Sequence, residues 1–405
     1  MRKLIASCAF ALAVCLALAV AGCGSSDSTS SSTGGGGSTS ESGGSTSSES
    51  GGDTAVVAKA EKSLEELENK VLSKGPNGES PVPASSVKLS PQEIEKIKAM
   101  GATAAICLHY GGNDWSVAQV DGLEQTFEEL GIEVIAVTDA NFNPSKQVSD
   151  IETVLQKNPD IIVSIPTDPV ATAKVYKKAA NQGVKLVFMD NIPEGFKPGV
   201  DYVSDVSADN YGNGVASADL MAEALEGKGK IGLIFHEADF FVTKQRYEAF
   251  KTTIESEYPE IEITSEQGVA GPNFAGEAEK VASAMMTREP DLNGIWAVWD
   301  VPAEGVLAAI RANARDDLTV TTQDLGRGVA ISIAQGGPVY GLGAQRPYDQ
   351  GAAEAKLAGY ALLGKKAPPY VALNALPVTE ANLDKAWEEV YHQPLPSEVK
   401  EAQSE

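Results

Sequence analysis

Cysteine, histidine and positive charge are all scarce in this chain. Four cysteines occur in 405 residues, and three of them, Cys8, Cys15 and Cys23, fall in the first 23, so the remainder holds Cys107 alone and can form no intramolecular disulfide. Cys107 sits in the apolar run 103–108 and reads as a small core residue rather than a nucleophile. The three histidines, His109, His236 and His392, stand at no ligand-like spacing, which argues against a metal centre even where Glu237 follows His236. Lys and Arg number 32 against 56 Asp and Glu, for a net charge of −24, and no basic cluster offers itself to phosphates. Nucleic acid is thereby excluded as a partner, and the acidity reads as solubility. Gly212 and Gly214 lack a third glycine and a following Lys-Ser, and no Gly-x-Ser-x-Gly elbow occurs, so neither a nucleotide-phosphate loop nor an esterase is indicated.

What is present begins with an address. Arg2 and Lys3 precede an apolar segment over 4–20, which meets Ala21, Gly22 and Cys23 in the pattern of an export signal. The run Val20-Ala21-Gly22-Cys23 resembles a bacterial lipobox. That resemblance implies that residues 1–22 are a lipoprotein signal peptide and that Cys23 is acylated, which would anchor the chain stably to the cell membrane. The alternative is an uncleaved transmembrane anchor, because the apolar run lies at the short edge of the spanning range. Removal of Arg2 and Lys3 with the signal takes the net charge from −24 to −26. Residues 24–52 are nearly all Ser, Gly and Thr, too poor in apolar surface to offset their ordering entropy. Residues 23–54 are therefore expected to be a lipidated cysteine and a flexible tether, outside the cytoplasmic membrane.

Residues 55–100 read as a helical extension. Val57, Ala60, Leu64, Leu67 and Val71 alternate spacings of three and four and draw one apolar stripe, which predicts a helix packed on its own domain, with self-association as the alternative. Gly75 and Pro76 end it, and Ser90-Pro91-Gln92-Glu93 opens a second helix as a capping box with proline in the first turn. From Gly101 onward, short apolar runs alternate with amphipathic stretches. Strands are predicted at 103–108, 133–138, 160–165, 185–189, 230–235, 261–269, 294–298, 318–322 and 339–344. Helices are predicted between them at 117–130, 145–156, 171–181, 211–225, 243–255, 276–286 and 303–312. This alternation calls for right-handed crossovers and parallel sheets covered on both faces, and a body of about three hundred residues divides into two such domains.

Ligands of open parallel sheets bind beyond the carboxyl ends of the strands. The residues there are 109–116, Pro166-Thr167-Asp168, Asp190-Asn191, 236–239, Trp299-Asp300, Gln323-Asp324 and Gln345-Arg346, with Arg246 and Phe274 from nearby helix starts. Carboxylates, amides, one or two guanidinium groups and indole rings in one place suit a hydroxyl-rich ligand. Asp168 reads instead as a cap on the helix that follows.

At these residues the chain resembles the type I periplasmic solute-binding proteins, the ribose-binding-like group that feeds ABC transporters. The likeness runs from about Gly101 to Leu383 and is carried by Asn141-Phe142-Asn143-Pro144-Ser145-Lys146-Gln147, Asp150-Ile151-Glu152, Ile165-Pro166-Thr167-Asp168 and Ala208-Asp209-Asn210-Tyr211-Gly212. It implies an α/β fold of two Rossmann-like lobes with parallel sheets, joined by a three-strand hinge and closing on a ligand. The first lobe would comprise 101–208 and 346–376, the second 209–345 and 377–405. By the same resemblance, His109, Asn113 and Trp115 contact the ligand from the first loop, and Asp190 and Asn191 from the fourth strand. Arg246, Phe274, Trp299 and Asp324 do so from the second lobe, and Gln345 from the hinge. Asn191 stands where ribose binders carry an arginine, Trp299 where they carry an asparagine, and His109 and Ser116 replace a serine and a second aromatic. Loss of a charge and gain of an indole put another pentose, a hexose or an acyclic polyol on an equal footing with ribose.

The expected function is therefore non-catalytic, without cofactor or metal. A monomeric extracytoplasmic lipoprotein would capture a sugar or polyol and deliver it to an ABC transporter permease. The alternative is a sensory binding protein that presents a small signalling molecule to a membrane receptor.

Overall fold

The computed structural model describes residues 50–404. The signal peptide expected at 1–22, Cys23 and the tether up to residue 49 lie outside the described residues. The chain enters through α1 (Ser50–Leu67), β1 (Val82–Pro83) and α2 (Pro91–Lys98). A first lobe follows as β2 (Thr103–Leu108), α3 (Asp114–Glu129), β3 (Glu133–Asp139), α4 (Pro144–Leu155), β4 (Ile161–Ser164), α5 (Ala173–Asn181), β5 (Lys185–Met189) and β6 (Ser204–Ala208). The second lobe repeats the pattern: α6 (Asn210–Ala224), β7 (Gly229–His236), α7 (Phe241–Glu257), β8 (Ile261–Val269), α8 (Phe274–Arg288), β9 (Gly294–Ala297), α9 (Asp300–Asn313), β10 (Thr319–Gln323), α10 (Arg327–Ala334) and β11 (Val339–Ala344). The chain then returns to the first lobe with α11 (Pro347–Leu362) and β12 (Tyr370–Leu373). It crosses once more into β13 (Leu376–Thr379), α12 (Leu383–Tyr391) and α13 (Ser397–Ala402).

Two sheets result, ordered β1-β12-β6-β5-β4-β2-β3 and β13-β11-β10-β9-β7-β8. Every pair is parallel except β11 with β13. Interior strands are apolar because helices cover both faces, and β2, β4 and β9 are buried along almost their whole length. In each lobe the first strand lies between the second and the third, so the chain reverses direction across the sheet at β2/β4 and at β7/β9. Crevices for ligands open at those two switch points.

The crossings between lobes lie at Asp209, between Ala344 and Pro347, and between Leu373 and Leu376, and β13 opens one residue ahead of the boundary expected at 377. β6 was not predicted as a strand: its sequence, Ser-Asp-Val-Ser-Ala, is polar yet fully buried. Helix α1 starts at Ser50, inside the segment expected to be tether. It stops at Leu67, short of the end expected at Gly75 and Pro76, because the N–H groups of Leu72 and Ser73 turn to the carboxylate of Asp209 at 2.7 and 2.8 Å.

That contact makes the extension part of the body. Helix α1 lies on α6, with Ala60 and Leu67 buried, and Asn374 in the third crossing donates to the carbonyl of Glu68 at 2.6 Å. Further along, β1 joins the edge of the first sheet beside β12, and the capping box of Ser90 and Glu93 opens α2 as expected. The extension thus runs from the second lobe over the hinge to the first. Asp209 also caps α6 through the N–H of Gly212 at 2.9 Å. Asp209→Ala therefore removes an N-cap and strands the buried N–H of Ser73, at an expected cost of about 2 kcal/mol read as a lowered urea midpoint. Gly214 is explained by packing rather than phosphate: a Cβ there would come within 2.5 Å of the Arg246 carbonyl of α7.

Candidate ligand-binding site

The two lobes present matched chemistry at matched strand ends. His109 follows the first strand of the first lobe and His236 ends the first strand of the second, while Asp190 and Asp324 follow the fourth strand of each. Both aspartates adopt left-handed backbone conformations, φ 57° and 65°. Such strain in non-glycine residues persists only where the surroundings enforce it, and it clusters at functional sites.

These groups enclose a cavity of ≈ 60 Å³, the space of about two waters and less than half of the ~150 Å³ of a cavity that takes up benzene. From the first lobe it is lined by His109, Tyr110, Asn113, Trp115, Phe142 and Asp190; from the second by His236, Phe240, Arg246, Trp299, Asp300 and Asp324, with Gln345 at the second crossing. The lobes are closed on it. Phe142 meets His236 and Phe274 across the cleft with ring centroids 6.1 and 5.3 Å apart, and Phe240 stacks on His109 at 5.5 Å. At the rim the Arg327 N–H donates to Asp114 at 2.9 Å.

Arg246 organises the second-lobe wall. Its Nη1 and Nη2 grip the two Asp324 oxygens at 2.9 and 3.3 Å, Nε donates to Asn210 at 2.9 Å, and Nη1 also reaches the carbonyl of Val298 at 3.2 Å. Gln345 adds a bond from Nε2 to Asp324 at 2.8 Å, which leaves its Oε1 buried without a partner among the described residues. In the first lobe, Asp190 Oδ1 accepts from Ser207 Oγ at 2.6 Å and from Gln350 at 3.3 Å. Burial nevertheless pushes its carboxyl up to about 6. Burial also holds His109 and His236 down at about 3 and 4, so both rings are neutral at physiological pH. Asp300 lies well above the usual carboxylate range, first through burial and then through the negative charge of Asp324.

Eight of the ten ligand contacts expected from sequence line this cavity, namely His109, Asn113, Trp115, Asp190, Arg246, Trp299, Asp324 and Gln345. Two do not. Asn191 turns its amide to the carbonyl of Pro166 at 3.3 Å, and Phe274 meets Trp299 edge-on at 4.9 Å without lining the cavity. Asn113 also serves as the N-cap of α3, its Oδ1 accepting from Ser116 at 2.8 Å, so its Nδ2 is the atom left for a ligand. Phe142 and Phe240 were missed as wall residues. Their signal was weak, since one sits in a loop motif and the other in the run 237–240 between β7 and α7. Asp168 caps its turn, accepting from Val170 and Ala171 at 2.8 Å each. Cys107 is fully buried, its thiol pushed up to about 12, and no metal cluster occurs among the described residues.

A family profile described as the periplasmic binding protein domain matches residues 104–366. The chain belongs to the periplasmic binding protein family. Among curated relatives, this binding protein is 28% identical over 268 residues to a D-apiose import binding protein of Actinobacillus succinogenes, covering 66% of this chain and 84% of that one. It is 26% identical over 208 residues to the ribose import binding protein of Bacillus subtilis, covering 51% and 65%. Among solved structures, a solute-binding protein from Agrobacterium vitis bound to α-D-tagatopyranose superposes with a TM-score of 0.66 at 23% identity, over 72% of this chain and all of that one. The fold is thus the type I periplasmic binding protein fold expected from the sequence, and the relatives are import binding proteins rather than enzymes. No helix among the described residues is long and apolar enough to cross a membrane.

Proposed function

We propose that this binding protein captures a sugar or polyol between its lobes and delivers it to an ABC transporter permease, tethered outside the cell membrane by a lipid on Cys23. The observation that carries the reading is the pair of strained aspartates, one from each lobe, at a closed cavity walled by rings. Hydroxyl groups would donate to the carboxylates and to Gln345 Oε1 while indole and phenyl faces cover the ligand's C–H bonds. A missing hydroxyl would leave a buried acceptor unpaired, which is how such a site discriminates. Import is favoured over signalling by the names of the Actinobacillus succinogenes and Bacillus subtilis relatives, both import binding proteins.

A thermal-shift screen of pentoses, hexoses and polyols tests it. A ligand at a hundred times its Kd should stabilise the protein by about 2.7 kcal/mol, several degrees in Tm. Trp299→Phe keeps a ring but loses indole area, and should weaken the best ligand about tenfold. A flat screen, or a shift unchanged in this variant, would remove the reading.

A further inference from the structure

The charge balance of the cleft carries the sugar reading one step further, and rests on it. Asp190, Asp300 and Asp324 reach the cavity, and the one Lys or Arg among the residues that line it is Arg246. That guanidinium is committed: its bonds to Asp324, Asn210 and Val298 leave a single N–H on Nη2. A ligand carboxylate would find no free cation here.

The other two carboxyl groups have no such partner. Asp190 is 2% exposed, and among the described residues none donates to its Oδ2. Asp300 is 5% exposed, its Oδ1 takes the N–H of Val301 at 2.9 Å, and none of the described residues donates to its Oδ2. The neighbours of Asp300 deepen the negative field, since Asp324, Glu304 and Asp114 all act on it. His109 and His236, held neutral by burial, add no positive charge. Asp300, held well above the usual carboxylate range, keeps its proton, but a neutral sugar would leave the buried Asp190 carboxylate with hydroxyl and amide donors and no bonded counter-charge, which is costly in a desolvated site. Ring faces add a second attraction for a cation, with Trp115 and Phe142 on the first-lobe wall and Trp299 on the second.

We propose that the ligand carries a basic nitrogen: an amino sugar or amino-polyol whose ammonium is held by Asp190 Oδ2 and the surrounding rings, with its hydroxyls on Asp300, Gln345 and Asn113. Asp190 then sets specificity between an amine and the corresponding alcohol.

Calorimetry on the full-length protein at near-neutral pH tests this with matched pairs. The probes are glucosamine against glucose, galactosamine against galactose and glucamine against sorbitol, with N-acetylglucosamine as the compound whose nitrogen is uncharged. In at least one pair the amine should bind about tenfold or more tightly than its neutral partner, with N-acetylglucosamine in the weak group. Asp190→Asn is isosteric, and its unfolding midpoint reports its integrity; the amine preference should shrink below about threefold in it. Neutral sugars that bind as tightly as the amines would overturn the inference and leave the sugar reading standing. A full amine preference in Asp190→Asn would also overturn it, because the ammonium would then lie elsewhere. Binding of neither amines nor neutral compounds would sink both readings together.

Discussion

Arg246→Met should lower the stability of this protein by about 3–5 kcal/mol, the range for removing one partner of a buried ion pair. The guanidinium and Asp324 are 2% and 8% exposed, and with Arg246 gone the carboxylate keeps only Gln345 while Asn210 and the carbonyl of Val298 lose a donor. Most of the loss is thus the cost of a stranded charge rather than the worth of the pair. The double variant Arg246→Met/Asp324→Leu should therefore recover much of the stability, and it should still fail to bind ligand. Urea midpoints of the wild type, both single variants and the double variant measure this directly. A single variant as stable as wild type would mean that water reaches Asp324 and compensates it.

Asp190→Asn should have the opposite sign. Burial raises the Asp190 carboxyl to about 6 against the donors Ser207 and Gln350 and the positive charge of Arg246, while Asp324 adds to the rise. Asp190 in turn adds to the rise of the buried acids Asp205 and Glu354, whose carboxyls burial already holds well above the usual range. A folded-state value above the unfolded one means that the folded protein binds the proton more tightly. The stability conferred by that proton is complete below about pH 4 and is lost as pH rises through about 6. At neutral pH the ionised group costs about 3 kcal/mol, from a shift of about two units. The asparagine carries no such charge. It should stabilise the ligand-free protein by about 2 kcal/mol at neutral pH, allowing for weaker acceptance from Ser207, and by almost nothing near pH 4. Thermal melts at the two pH values separate this from a simple packing gain, which would be equal at both. The trade is between stability and function: a carboxylate that weakens the empty protein is retained at the wall that meets the ligand.

Local pattern made much of this architecture legible. Buried parallel strands must be apolar and their crossover helices amphipathic, so every strand predicted between 103 and 344 has a counterpart in β2 to β5 and β7 to β11. Caps were visible as well, in Ser90 with Glu93 and in Asp168. β6 escaped because its interior is polar for a tertiary reason, Ser207 being spent on Asp190. Phe142 and Phe240 escaped because a ring in a loop becomes a wall only when the opposite lobe arrives, as His236, Phe274 and His109 do here. The extension was expected to pack on its own domain, and it does; that it bridges both lobes could not be read from an apolar stripe.

The sequence by itself determined the order of strands and helices and which residues stand at strand ends, because period, capping and turn chemistry act within a few positions of one another. Only the tertiary structure decided which of the strand-end carboxylates are spent and which are open. Asp324 is neutralised by a residue 78 positions away, and Asp190 is held by a glutamine 160 positions away that brings a hydrogen bond but no charge. Hydrogen-bond partners and counter-charges are matters of distance in space, and no spacing along the chain encodes them.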